Sequence, residues 1–259
     1  MNGFDLTILQ FFNRPGFHSP ALDTFAAKIA ANLLLKGGVV LAVIWALWFS
    51  KPARAADSAV GAGEAADGEA TVDRIRRLIL LGFVGTFLAL ALARGASKMF
   101  PASARPLNYP ELFTIPASAD TTTNPFFIND NSFPSDHAAL FYALATTIFL
   151  VSPRTGSIMF VYVTLVVVVP RLYLLLHYPS DIIAGAILGV ACVMIASVAG
   201  TATTLGRTLL RRVYRWSVSH APTFYAALFL WSFSIAELFD SIRRLAQIGP
   251  LLKALVARH

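Results

Sequence analysis

The residues best suited to chemistry in this 259-residue chain are Lys98, Arg105, His137, Arg171, His177 and Asp181. A histidine followed one helical turn later by an aspartate, as in His177-x3-Asp181, is an imidazole with a carboxylate in reach of it. Such a pair can fix the tautomer and stabilise the cation of a nucleophile or base. A second histidine, His137, closes Ser132-Phe133-Pro134-Ser135-Asp136-His137 and can serve as a general acid and base. Lys98, Arg105 and Arg171 are cations that can hold an anion. Pro134 and Pro179 each stand where a first helical residue is expected, because proline lacks the amide that would go unpaired there. That places Ser135 and His137 in one first turn, and Ser180 and Asp181 in another. Helix N-termini offer free N–H groups and a positive dipole end. Two helix starts and three cations suit a phosphoryl group, whose transition-state charge spreads over its equatorial oxygens.

Each residue also has a structural reading. A lysine closing a span, as Lys98 does, ordinarily snorkels to the interface. Ser135 and Asp136 suit helix caps, Pro170 suits a kink, and His137 or His177 suits an interfacial position. Arg171 lies beside a long apolar run, where a charge is expensive and usually functional. For every structural reading to hold, all would have to coincide on one face.

The elements that position these residues are apolar. Apolar residues make up 56% of the chain and charged residues 14%, with a mean hydropathy of +0.65. A soluble domain carries about 25% charged residues, so this chain needs a bilayer as its second solvent. Spans of about 20 residues are expected at Ile29–Phe49, Leu78–Ala96, from Ser135 to Val151, at Ile158–Leu176, Ile182–Thr204 and Ala221–Phe239. The expectation is an all-α polytopic membrane bundle of about six helices. Before the first span, Phe4, Ile8, Leu9, Phe11 and Phe12 predict a short interfacial helix. Residues 1–28 lack a basic region followed by a continuous apolar core, so no cleavable signal peptide is expected. Residues 50–77, rich in Ala, Gly, Asp and Glu over Ala53–Asp73, predict a flexible loop. Residues 221–259 are expected as an accessory helix and tail of the same single membrane unit. The lone Cys192 excludes an intramolecular disulfide.

The net charge of +7 points to anionic lipid headgroups rather than nucleic acid, because the basic residues gather at the ends of apolar runs. Loops 50–77, 152–157 and 205–220 carry Lys51, Arg54, Arg74, Arg76, Arg77, Arg154, Arg207, Arg211, Arg212 and Arg215. The alternate loops 99–134 and 177–181 carry only Arg105. By the positive-inside rule the first set is cytoplasmic and the chemistry lies at the outer face. Arg243, Arg244, Lys253 and Arg258 in the tail pull the other way. The scattered Glu111, Asp120 and Asp130 show no metal-ligand spacing, so neither a metal nor another cofactor is expected.

Lys98-x6-Arg105-Pro106, Pro134-Ser135-Asp136-His137 and Arg171-x5-His177-x3-Asp181 resemble the three-part signature of the type 2 phosphatidic acid phosphatase family. The resemblance covers a core of about residues 78–200. That family comprises membrane lipid phosphatases, with soluble acid phosphatases and vanadium haloperoxidases as relatives. Carried over residue by residue, it implies that His177 attacks phosphorus and forms a phosphohistidine, with Asp181 supporting it. It implies His137 as acid for the leaving oxygen and then base for water, and Lys98, Arg105, Ser135 and Arg171 as phosphate-binding residues. The family usually has Gly where Asp136 stands. An Asp there is similar to bacterial undecaprenyl-diphosphate phosphatases of the bacitracin-resistance type, which makes Asp136 a candidate substrate-tuning residue. The family usually has Ser where Pro170 stands, so a hydroxyl and an amide donor to phosphate are missing.

The resemblance implies a bacterial inner-membrane protein with its site facing the periplasm or outside, acting on undecaprenyl diphosphate or a related lipid phosphate. Phosphatidic acid, phosphatidylglycerol phosphate and lipid A are alternative substrates. Phe113, Phe126, Phe127 and Ile128 are candidates either to rest on the membrane and guide a lipid or to pack the loop. A phosphotransferase using the same intermediate is the nearest rival. A non-enzymatic anion transporter explains Arg171 but not the His–Asp and His–Ser arrangements. Vanadate-dependent haloperoxidase chemistry fits a membrane-embedded chain poorly.

Overall fold

The fold was described from a computed structural model covering residues 2–14, 16–50, 62–101, 103–116 and 131–239. The described residues are helical and carry no strand. The short helix expected before the first span is present as α1 (Gly3–Phe12); it buries Leu9 and, unforeseen from its pattern, Asp5, and it exposes Phe4 and Phe11. The expected first span is a bent pair. Helix α2 (Pro20–Ala31) is followed by a π-helical turn, Leu34–Gly38, that runs into α3 (Val39–Phe49), with a bend of 53° between the halves. The break falls at Asn32, whose Oδ1 accepts from Leu35 N at 3.0 Å. That side-chain bond replaces a helical one and restarts the helix in a new direction.

Helix α4 (Ala62–Met99) is longer than its apolar stretch. Residues 62–73, expected within a loop, are its polar N-terminal extension; alanine is the strongest helix former and leads this segment's composition. Residues 51–61 of that expected loop lie outside the described residues. Helix α5 (Asp136–Val151) is followed by α6 (Pro153–Tyr162), which starts on a proline and passes through a π-helical stretch, Val163–Val168, into α7 (Val169–Tyr173). Pro170 has no N–H to give the preceding turn, and the widened ladder lies directly before it. Helix α8 (Pro179–Ala202) is followed by α9 (Thr204–Ser219) and α10 (Ala221–Ala236). The basic segment expected as a cytoplasmic loop at 205–220 is thus helical, with Leu205, Leu209 and Trp216 exposed.

Among the described residues, three helical stretches are long and apolar enough to cross a bilayer: Ala70–Met99, Pro153–Tyr173 and Pro179–Ala202. The bent α2–α3 pair makes a fourth if counted as one span. Helices α5 and α10, expected as spans, have 16 residues each. At about 1.5 Å per residue they reach roughly 24 Å, short of a hydrocarbon core of about 30 Å. The count of about six therefore rests on composition, and length supports fewer. For α5 the reason is its position. Ala138, Ala139, Leu140, Phe141, Ala143, Leu144, Ala145 and Ile148 are each at most 1% exposed, so the helix runs through the middle of the bundle rather than against lipid.

Close approach of α8 to α5 sets the position of the chemistry. A Cβ on Gly185 would collide with Ser135 O, and one on Gly189 with Ala139 O. Small residues one turn apart let two helix backbones touch, which is how membrane helices gain packing without a hydrophobic driving force. On the far side, α10 packs against the first bent span. Gly37 faces Ala236, and Trp48 stacks with Phe224 and donates from Nε1 to Tyr225 Oη at 3.3 Å. The tail residues Arg243, Arg244, Lys253 and Arg258 lie outside the described residues.

Candidate active site

Two helix starts meet at one end of the bundle. Ser135 caps α5 from outside it, and its Oγ accepts from Ala138 N at 3.3 Å. Pro134 is therefore one residue before the cap, not the first helical residue expected of it. Pro179 does open α8. The two starts are tied together by Ser135 N, which donates to Asp181 O at 3.1 Å. This bond needs the close α5–α8 approach that Gly185 permits.

His177 sits in the turn between α7 and α8. Leu175 reverses the chain there with φ 56°, a left-handed conformation that a non-glycine residue adopts only when its surroundings enforce it. Leu175 is fully buried, and its carbonyl accepts from Leu107 N at 3.0 Å. His177 is 5% exposed. Its Nδ1 lies 3.0 Å from Ser132 O and 3.8 Å from Asp181 Oδ2. A carbonyl can only accept, so Nδ1 carries a proton, and in the neutral ring Nε2 keeps its lone pair. The sequence suggests that Asp181 bonds the imidazole directly. Instead its carboxylate accepts from Tyr178 N at 2.9 Å and from Ser132 Oγ, which holds in place the residue whose carbonyl orients His177. Ser132 is a site residue that spacing alone did not single out.

His137 is oriented by its own neighbour. Its Nδ1 lies 2.9 Å from Asp136 Oδ1, and Asp136 Oδ2 is 3.6 Å from Arg94 Nη2. Asp136, expected as a helix cap or a substrate-tuning residue, thus bridges an imidazole and a cation. Arg94 also donates to Leu238 O at 2.7 Å. It lies near the end of the expected span Leu78–Ala96. The available signal was an arginine one turn before Lys98 within an apolar helix, which is expensive unless used.

The cations divide. Arg105 is 8% exposed, and its Nη1 donates to Leu176 O at 3.0 Å, beside His177. Arg171 is 4% exposed and donates to Val167 O at 2.8 Å and Ala30 O at 3.0 Å, while its charge acts on Asp136 and His137. Lys36, from the π-helical turn of the first span, also acts on His137 through its charge. Lys98 is exposed in the last turn of α4, and no described contact ties it to the others.

The start of α8 is not the anion site its sequence suggests. Ser180 N and Ser180 Oγ both donate to the carboxylate of Asp5, each at 2.8 Å. Asp5 is 4% exposed and reaches across from α1, so a side chain already fills the place an anion would take. At α5 the described hydrogen bonds leave the amides of Asp136 and His137 unengaged. An open cavity of about 540 Å³ lies beside Asp181 and is lined by Asn2, Asp5, Tyr109, Phe133, Tyr178 and Ser180, among others. Burial, with Tyr109, Asp181 and Asp5 close by, pushes the Tyr178 phenol above its ordinary pKa. Two carboxylates and no described lysine or arginine line this cavity, so a phosphate belongs on the histidine side of Asp181. Phe113 is 4% exposed and packs with Leu9, Leu107 and Leu175. It packs the loop and does not face a membrane. Phe126, Phe127, Ile128, Asp120 and Asp130 lie outside the described residues.

Asp136, His137 and His177 offer ligand atoms within 4.8 Å of one another, a spacing a metal ion could use. Arg94, Arg171 and Lys36 act on the same pair, Asp136 and His137. Their positive charge opposes a cation there and favours an anion.

The model of the PAP2 superfamily matches residues 78–205, which contain every residue of the two histidine arrangements. A stretch of 61 residues is 46% identical to a bacitracin transport permease protein, BcrC, of Bacillus licheniformis, covering 24% of this chain and 30% of that protein. A stretch of 121 residues is 29% identical to an undecaprenyl-diphosphatase of Sulfolobus acidocaldarius, covering 45% of this chain and 52% of that protein. The chain therefore aligns with about half the length, or less, of these relatives. No solved structure matches significantly. Residues 78–205, which hold His137, His177 and Asp181, form a domain of the PAP2 superfamily.

Proposed function

We propose that the protein is a membrane lipid phosphatase working through a phosphohistidine, with undecaprenyl diphosphate or a related lipid phosphate as substrate. The observation that carries this reading is the Nδ1 contact of His177 with Ser132 O at 3.0 Å, which leaves Nε2 as a nucleophile beside His137. Nε2 attacks phosphorus, and the bond from phosphorus to the leaving oxygen breaks. His137 protonates that oxygen where it needs a proton, then takes one from water as water displaces the histidine and releases phosphate. Arg105, Arg171, Lys98, Ser135 and the first amides of α5 stabilise the phosphoryl oxygens. Asp181 and Ser132 hold His177 in place, and Asp136 holds His137. Support for the substrate class comes from the relatives named an undecaprenyl-diphosphatase and a bacitracin transport permease protein. The charge bias of the loops favours a site on the outer side of the membrane.

The test is phosphate release in detergent from undecaprenyl diphosphate, phosphatidic acid and phosphatidylglycerol phosphate. His177→Ala should abolish turnover while its melting temperature stays within a few degrees of wild type, and turnover should survive EDTA. Full activity in the alanine variant removes the nucleophile assignment. Loss with EDTA that magnesium restores argues for metal-dependent chemistry. Transfer of phosphate to an added acceptor lipid in place of release would make the protein a transferase.

A further inference from the structure

Lys36 lies within the bent first span, outside the matched residues 78–205. A lysine among apolar helices is expensive and is ordinarily retained for a partner or ligand. It occupies the π-helical turn Leu34–Gly38, just past the 53° bend, and is half-buried. Such turns displace side chains from the regular helical stripe and recur at functional sites.

Neighbouring bonds fix its depth. Leu35 O, one residue before it, accepts from Tyr162 Oη at 2.6 Å. Tyr162 lies along the α6–α7 stretch roughly 10–13 Å from Arg171, at about 1.5 Å or less per residue. Ala30 O, higher on the same bent span, accepts from Arg171 at 3.0 Å. Lys36 is therefore rooted beneath the site, on the bilayer side, and its flexible stem lets the ammonium reach upward. Its charge is felt at His137, the residue that serves the leaving oxygen. A lipid held with its terminal phosphoryl at His177 and its tail in the bilayer would direct its leaving fragment toward this side.

We propose that Lys36 is a specificity-determining residue for lipids whose leaving group is itself a phosphate, its ammonium holding the inner phosphate of a diphosphate headgroup. This rests on the phosphatase reading above. When His177 Nε2 bonds to the outer phosphorus, the bridging P–O bond breaks and its electron pair goes to the inner phosphate. A cation there stabilises the extra negative charge. A lipid monophosphate expels an alkoxide instead, which needs a proton from His137 and gains less from a fixed cation.

The test uses the full chain in detergent with a polyprenyl diphosphate and the monophosphate of the same chain length. Lys36→Met should reduce kcat/KM on the diphosphate at least tenfold more than on the monophosphate, and Lys36→Arg should recover most of the difference. Equal losses on both substrates, or no loss on the diphosphate, overturn the assignment. Calorimetric binding of methylenediphosphonate and of orthophosphate separates this from failure of the phosphatase reading. If the wild type releases phosphate from neither lipid, that reading fails. Weakening of methylenediphosphonate alone in Lys36→Met still supports the diphosphate site, and equal weakening of both anions refutes it.

Discussion

The carboxylate of Asp5 accepts from both the amide and the hydroxyl of Ser180, each at 2.8 Å. One residue of an interfacial helix thereby caps the helix that follows His177. Removing it should leave two donors without their partner at a half-buried helix start. Asp5→Ala is expected to destabilise the protein by about 1 kcal/mol, the low end of the range for stranding a polar group, because the open cavity lets water reach the freed donors. Thermal unfolding in detergent should show the drop, and phosphate release should fall with it as the His177 turn loosens. Asp5→Asn retains an acceptor and should lose less in both measurements. An unchanged melting temperature in Asp5→Ala would show that α1 does not fasten α8.

Asp136 links His137 to Arg94, at 2.9 Å and 3.6 Å respectively. Asp136→Asn keeps the shape but loses the charge that holds both partners. The expected result is a kcat decrease of about tenfold to a hundredfold, the scale seen when a supporting group of a functional side chain is removed, with KM changed less. Steady-state kinetics with a monophosphate lipid check this most sharply, because an alkoxide leaving group depends on a well-placed His137. A variant altered only in KM would return Asp136 to the substrate-tuning role that sequence suggested.

Gly189 lies where any Cβ would strike Ala139 O. A backbone oxygen cannot step aside as a flexible side chain can. Gly189→Ala should force α8 away from α5, break the Ser135–Asp181 backbone bond and lower activity more than stability. Gly95, which has nothing near its absent Cβ, is the control: Gly95→Ala should melt within a degree or two of wild type and keep its activity. Equal activity in the two variants would remove the helix contact as the determinant of site geometry.

Much of the site was legible because its side chains are chemically costly where they stand. Arg171 in an apolar run, the His177–Asp181 spacing and the Ser135–His137 helix start all announce themselves in one dimension. What escaped is carried by backbone or by distant partners. The groups that orient His177 and Arg171 are the carbonyls of Ser132 and Ala30, and a carbonyl looks the same at every residue. Asp5 resembles an ordinary first-turn acid, and only the fold brings it to Ser180. The span count was legible in composition but not in length, since hydropathy cannot distinguish a helix facing lipid from one, like α5, facing other helices. The polar start of α4 was misread because Ala, Gly and Glu serve loops and helix extensions alike.

The sheathing of α5 also bears on how the protein meets membranes of different thickness. Hydrophobic mismatch acts on surfaces that touch acyl chains, where it is relieved by tilt or local thinning. From Ala138 to Ile148 this helix offers lipid almost nothing, so it has little reason to tilt when the bilayer changes. The load falls on α4, α8 and the α6–α7 stretch, which are long enough to absorb it. The rod that carries His137 is mechanically shielded, whereas His177 and Asp181 ride on the stretches that adapt, so a change of bilayer thickness acts on the spacing between the two histidines.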